Sequence, residues 1–332
     1  MNGGIYMDKL ETLQHYIDMD YIPKSWSLCY QDALNTFKKN WFLDFDFKSI
    51  CSFYNLPNDF IISLLETIDL LKNDDNLNFL CYFFYYILYF SNESHDIWSW
   101  DSKNVFTNHG NHMIPTISLL AGQPIHMENM QKRNYDKYQI DKHKQNLYSK
   151  ILNDYYSIIG LSFRHMVWLS IFIKCDIIEI GRLQYDYRSS VDMDCLNDKK
   201  YHIKLHIPSG NPLNIQDIKP SLADAKKYIY SYFDLEPNRE LEYYCESWLF
   251  SPELKYFLNE DSNILSFQRL FNIVKYRENL KDFMLFVFNL HDTPKDFSIL
   301  KSDTSLQKNM KNYLLEGKKL HIGTAILKNE VI

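Results

Sequence analysis

The sequence predicts an α+β chain: an all-α N-terminal part, then a mixed α/β part. Three observations carry this. Apolar residues recur at helical spacing in the first half, as in Phe60, Ile61, Leu64, Leu65, Ile68 and Leu71. The pattern changes near Cys175, where CDIIEIGRLQYDY and then YHIKLHI alternate apolar and polar residues as strands do. Beyond Pro220, helical and strand-like stretches take turns, as expected over a mixed sheet. A length of 332 residues suits about two domains. The helical part is assigned to residues 1–153 and the mixed part to 154–332.

Each element has a local reason. Asn58 is placed to cap NDFIISLLETIDLLKN. After the polar turn KNDDN comes LNFLCYFFYYILYF, 14 residues from Leu77 to Phe90. It falls short of the ~20 residues needed to span a bilayer, so it reads as a buried helix. MIPTISLLAG has a proline suited to a first helical turn and a glycine at its end. Met127 to about Phe172 reads as helical, with a break near Ile159-Gly160. In the second part, Leu183, Tyr185 and Tyr187 alternate with Arg182, Gln184 and Asp186. In YHIKLHI, Tyr201, Ile203, Leu205 and Ile207 alternate with His202, Lys204 and His206. Two such strands joined by a polar loop suggest a hairpin whose polar face carries Arg182, Gln184, Lys204 and His206. Then come a helix from Ser221 to about Phe233, a strand ELEYYCESWLF and a helix SPELKYFL. Ser262 caps a helix SNILSFQRLFNIVKY, and FMLFVFN (283–289) suits a central strand. Ser302 to Leu315 is a further helix, and KKLHIGTAIL a last strand.

Composition removes several classes. A net charge of −6 argues against nucleic-acid binding. The basic cluster Lys132, Arg133, Lys137, Lys142 and Lys144 is interrupted by Asp136 and Asp141, which makes it a solvated helix face. The six cysteines show neither zinc-ribbon nor CxxC spacing and read as reduced, buried thiols. The N-terminus lacks a signal pattern, so a cytoplasmic protein without a membrane segment is expected. GxGxxG, GxxxxGK[ST] and kinase signatures are absent from the sequence.

Four stretches invite chemistry. HGNH (109–112) has HxxH spacing and would need a third ligand, such as His95 or His126; its flanking Gly and Asn make it a surface loop, and no metal is expected. VDMDCLNDK (191–199) lacks the glycine and glutamate of a calcium loop. HIPSGNP (206–212) is neither a P-loop nor a serine elbow, yet it places His206 and Ser209 at the end of a polar strand face. Glu246 alternates with Tyr244, Trp248 and Phe250; on such an aromatic face its pKa would rise, which suits a general base. The structural alternative pairs Glu246 with an arginine such as Arg182.

The phrases IGRLQYDY, HIPSGNPL, SLADAKKYI, ESWLFSPEL, SNILSFQRLF and TSLQKNM occur in that order. Together they resemble a bacterial family of acyltransferase-domain proteins. Those proteins join a helical N-terminal domain to a C-terminal domain like the GCN5-related N-acetyltransferases. PTISLLAGQPIHMENMQKRNYDKYQI carries the likeness into the first half. The resemblance implies acyl-CoA as co-substrate, a splayed central sheet, and transfer of an acyl group to a small-molecule or peptide amine. It makes Glu246 and His206 candidate bases and Tyr313 a candidate acid. Arg182, Gln184, Lys204 and Ser209 become candidate substrate contacts. The superfamily's pyrophosphate loop, [QR]xxGx[GA], is echoed only by LHIGTA (320–325), with Leu320 at the Gln/Arg position. The CoA phosphates are therefore assigned to helix starts at Ser221, or at Ser262 and Asn263. The alternative is a non-catalytic module of the same fold, with a protein partner on its helical half.

Overall fold

The apolar run beginning at Leu77 lies at the centre of the helical unit. The computed structural model describes residues 27–91, 113–155, 163–187, 199–208, 212–290 and 293–331. The unit contains α1 (Ser27–Thr36), α2 (Phe47–Phe53), α3 (Asn58–Asn73) and α4 (Asp75–Tyr89). It continues with α5 (Ile114–Leu120), α6 (Gln123–Lys132), α7 (Lys137–Tyr155) and α8 (Phe163–Ile173). Asp74 starts α4: its carboxylate accepts from the N–H groups of Asn76 and Leu77, donors the helix itself cannot satisfy. Phe79, Leu80, Phe83, Phe84, Ile87 and Leu88 are then buried on successive turns. α5 is buried along its whole length against α4. The Ser118 hydroxyl donates to the Cys81 carbonyl at 2.8 Å, and the Tyr89 hydroxyl to that of Leu119 at 2.7 Å. Among the described residues no helix is long and apolar enough to cross a membrane.

Three details differ from the sequence reading. Pro57, not Asn58, precedes α3, and Asn58 is its first helical residue. The helical stretch after Met127 is interrupted at Arg133 and Asn134, where Asn134 takes a left-handed φ of 51°, and the expected break near Ile159-Gly160 lies outside the described residues. The compact units divide between Cys175 and Asp176 rather than at residue 153. The reason is α8, which packs on α4, α5, α6 and α7 of the first unit. Ser209, HGNH and residues 191–198 lie outside the described residues.

The second unit is built on β1 (Ile177–Ile180), β2 (Leu183–Asp186), β3 (Tyr201–His206), β4 (Leu241–Ser247), β5 (Phe271–Glu278) and β6 (His321–Leu327). The sheet order is β1-β2-β3-β4-β6-β5. Every pair is antiparallel except β3–β4. A parallel pair needs a crossover, and α9 (Ile215–Phe233) supplies it. Ile218, Leu222, Ala225 and Ile229 of α9 are buried, and the helix packs on β1 and β2. The rest comprises α10 (Asn263–Gln268), α11 (Leu280–Phe286) and α12 (Ser305–Leu315). Thr304 and Gln307 form a capping box at the start of α12.

Four assignments change. CDIIEIGRLQYDY is two strands, because Gly181 turns the chain at φ +59°. SPELKYFL forms a 3-10 turn, Pro252–Tyr256. The helix after Ser262 ends at Gln268, and FNIVKYRE is the edge strand β5 paired along β6. FMLFVFN is not a central strand: the Asn279 side chain accepts from the Asp282 N–H and starts α11, which buries Phe283 and Met284 and leaves Phe286 exposed.

LHIGTA is sheet core rather than a phosphate loop. Gly323 sits within β6, and a Cβ there would lie 2.6 Å from the Phe250 carbonyl oxygen. That neighbour is backbone and cannot swing aside. Gly323→Ala should therefore cost about 1–3 kcal/mol by overpacking. A denaturant melt showing an unchanged midpoint would contradict this packing.

Candidate functional site

The β3–β4 ladder stops before either strand does. Its registered pairs run from Tyr201↔Leu241 to Lys204↔Tyr244 and no further. β3 continues through His206 bonded to β2, with Gln184↔His206 and Tyr185↔Leu205. β4 continues through Ser247 bonded to β6, with Glu246↔Thr324 and Ser247↔Gly323. The C-terminal ends of the two parallel strands thus follow different neighbours. At that end, the chain leaves β3 through HIPSGNP and enters α9.

The polar face beside this parting is largely the one the alternation predicts. Gln184 and Asp186 of β2 stand across from His206 and Lys204 of β3, and Lys204 pairs with Tyr244 of β4. Glu246 follows two residues along the same face. Arg182 lies in the β1–β2 turn instead, where its Nε donates to the Pro212 carbonyl at 3.1 Å and ties that turn to the HIPSGNP loop. The Gln184 amide donates to the Glu179 carboxylate at 2.8 Å.

Two carboxylates hold partners on this face. His206 Nε2 lies 2.9 Å from Asp186 Oδ2, and Asp186 is buried. A carboxylate at this distance favours the tautomer that carries its proton on Nε2. Glu246 accepts from Arg277 of β5 at 2.7 Å and from the Thr324 hydroxyl at 3.3 Å. Burial pushes the Glu246 carboxyl up. The Arg277 hydrogen bond and charge, with Lys204 and Thr324, outweigh burial and hold it below the usual glutamate range. The expected upward shift is thereby overturned: the nearby aromatics do desolvate the group, but a cation reaches it. That cation is Arg277, not Arg182. Next to it, the Cys245 thiol is pushed by burial to about 12, so it is no thiolate nucleophile.

The residues assigned to phosphate have other tasks. Ser221 is in the second turn of α9, which begins at Ile215 and carries Pro220 inside it. Ser221 is buried, with its hydroxyl bonded to the Ile180 carbonyl, the Leu183 N–H and the Tyr185 hydroxyl. It joins helix to sheet. Ser262 caps its own six-residue helix through the Leu265 N–H. The Asn263 amide donates to the side chain of Asn214, the residue preceding α9, at 3.0 Å. Tyr313 lies on α12 in an open cleft with Tyr256, Phe257, Asn309, Asn312, Glu316 and Lys318, a lining that includes none of the sheet-face residues.

Sequence reasoning did not single out Asp186, Thr324 or Arg277. Asp186 was in the polar phase of RLQYDY and was readable there. Arg277 was hidden because β5 was assigned to a helix.

Residues 177–327 match the family model of the GNAT-like C-terminal domain. That match spans most of the second unit, which has a GNAT-like fold. Solved structures extend the likeness across most of the chain. An acyltransferase in complex with decanoyl-CoA and teicoplanin superposes with a TM-score of 0.64 at 18% identity, covering 85% of this chain and 87% of that one. An acyltransferase in complex with CoA and 10C-teicoplanin gives 0.61 at 19% identity, covering 77% and 79%. An acyltransferase in complex with decanoyl-CoA gives 0.58 at 17% identity, covering 85% and 99%. No curated protein matches the chain. At these identities the structures establish a shared fold. Within it, the second unit of this chain has the parted parallel pair and lacks the [QR]xxGx[GA] phrase.

The Glu246–Arg277 pair carries a pH signature. A depressed carboxyl stabilises the fold above its unfolded pKa, and that contribution fades as pH falls through the folded value. Arg277→Met should shift the Glu246 titration to higher pH, read by 13C NMR, and shrink the acid-side loss of stability. Arg277 is half exposed, so the cost at neutral pH should be only about 0.5–1 kcal/mol. An unmoved Glu246 titration would show that Arg277 does not set it.

Proposed function

We propose that the chain is an acyl-CoA-dependent N-acyltransferase whose two substrates meet where β3 and β4 part. The end of the β3–β4 ladder at Lys204 and Tyr244 carries this reading. Ligands of open sheets gather at the C-terminal ends of parallel strands, and the crossover helix begins at that same end. The family match and the CoA and acyl-CoA complexes of the structural neighbours support it. Teicoplanin, a glycopeptide in two of those complexes, favours a peptide-like amine as acceptor. A cytoplasmic setting, where acyl-CoA is available, fits this role.

The residues divide the work. At neutral pH an amine arrives as an ammonium, and the ionised Glu246 attracts and orients it. His206, with Asp186 fixing its tautomer, takes the amine proton at Nδ1. The nitrogen lone pair then forms a C–N bond to the thioester carbonyl carbon. The C–S bond breaks, the nitrogen gives up its second proton, and the leaving CoA thiolate takes up that proton. Lys204 and Gln184 border the acceptor side, and Arg182 braces the loop after β3. Proximity of the two substrates supplies much of the rate.

Calorimetric titration with acetyl-CoA and decanoyl-CoA should show saturable binding. Absence of heat at millimolar ligand would sink the enzyme reading and leave a binding module of the same fold. With a panel of small and peptide amines, thiol release should accompany acylation. His206→Gln should keep CoA affinity and lower turnover by ~10²–10⁴-fold, the usual worth of a positioned base. Turnover unchanged in His206→Gln but lost in Glu246→Gln would move the base to Glu246.

A further inference from the structure

A second cluster lies wholly within the helical unit. His126 is on α6, His143 is on α7, and Cys175 directly follows α8. All three are buried, and one ligand atom from each lies within 4.8 Å of the others. Three elements, far apart in sequence, thus bring two imidazoles and a thiol to one point.

The surroundings prepare these groups as ligands. His126 Nδ1 is 2.8 Å from the Tyr54 hydroxyl. A metal-bound imidazole ordinarily makes such a bond with its other nitrogen, which fixes the ring and its tautomer. The Nε2 of His126, on the opposite side of the ring, is enclosed and has no hydrogen-bond partner among the described residues. A buried ring nitrogen without a partner destabilises the fold unless something binds it.

The backbone at Cys175 points the same way. Its φ of 59° is left-handed, just past the last turn of α8, where glycine or asparagine is the ordinary residue. A cysteine there is strained where glycine would not be. Strain of this kind is kept where the side chain has a task.

We infer that His126, His143 and Cys175 form a binding site for a divalent transition metal, zinc in the first instance. Tetrahedral zinc with bonds of about 2.0–2.3 Å sets its ligand atoms roughly 3.3–3.7 Å apart. From a spread of up to 4.8 Å, the ligand atoms must close by roughly 1 Å to reach that geometry. Cys175 binds as thiolate and releases its proton to solvent. The set leaves one tetrahedral position for water or a further ligand. The bound ion ties α6, α7 and the end of α8 together, a structural role independent of acyl transfer. In the sequence, His126 stood out only as a possible third ligand for HGNH; the fold gives it partners from α7 and α8.

The test is elemental analysis of full-length protein produced in zinc-supplemented medium and desalted without chelator. About one zinc per chain is expected, as for a formed site of this ligand set. His143→Ala and Cys175→Gly should lose it, while Cys81→Ala keeps it. Glycine suits the left-handed backbone, so Cys175→Gly is the variant best placed to fold. Should it fail to fold, the wild type decides alone: cobalt-substituted protein must show a thiolate-to-cobalt charge-transfer band, and X-ray absorption must show sulfur and nitrogen neighbours. Wild-type protein without bound zinc or cobalt, metal retained equally in both ligand variants, or a metal site without sulfur would overturn the inference.

Discussion

The second unit depends on one constraint, the single parallel pairing in an otherwise antiparallel sheet. Strands β3 and β4 cannot be joined by a tight turn, so a helix must cross between them. That crossover sets α9 against β1 and β2 and brings the loop after β3 to the C-terminal end of the pair. The outer neighbours then draw the two strands apart. β2 holds β3 through His206, and β6 holds β4 through Ser247. A sheet with β3 and β4 laddered to their tips would have no room between them for a substrate.

Charge on the parted face is arranged in pairs rather than left bare. Asp186 is buried and meets His206, and Glu246 is partly buried and meets Arg277 and Thr324. An unpaired carboxylate at such depth would take up a proton instead of staying charged. Pairing with Arg277 holds the Glu246 carboxyl below the usual glutamate range. Helix and sheet are locked together just behind it by Ser221, whose hydroxyl bonds to groups of β1 and β2. Gly323 allows β6 to approach the Phe250 carbonyl on the far side of β4.

Much of this was legible in sequence. The period-2 alternation of RLQYDY and YHIKLHI placed Gln184, Lys204 and His206 on one polar face, and the sheet keeps them there. The 14-residue apolar run from Leu77 was too short for a bilayer and forms the buried α4. Assignments failed where local pattern is ambiguous. FNIVKYRE and FMLFVFN are both short and apolar-rich; periodicity cannot tell a brief strand from a brief helix in either. β6 decided the first by pairing with it, and the Asn279 cap decided the second. Pro220 looked like a helix start but lies inside α9, so Ser221 changed from an exposed helix start to a buried tie.

The sequence by itself determined the class of the chain, the helical first part, the polar strand face and the residue types on it. These are properties of composition and of side-chain period, and both are local. Only the tertiary structure decided which carboxylate meets which cation, that β3 and β4 part, and that His126, His143 and Cys175 converge. Those facts join residues tens of positions apart. They depend on strand register and helix packing, which no local pattern encodes, because they are set by the mutual burial of whole elements.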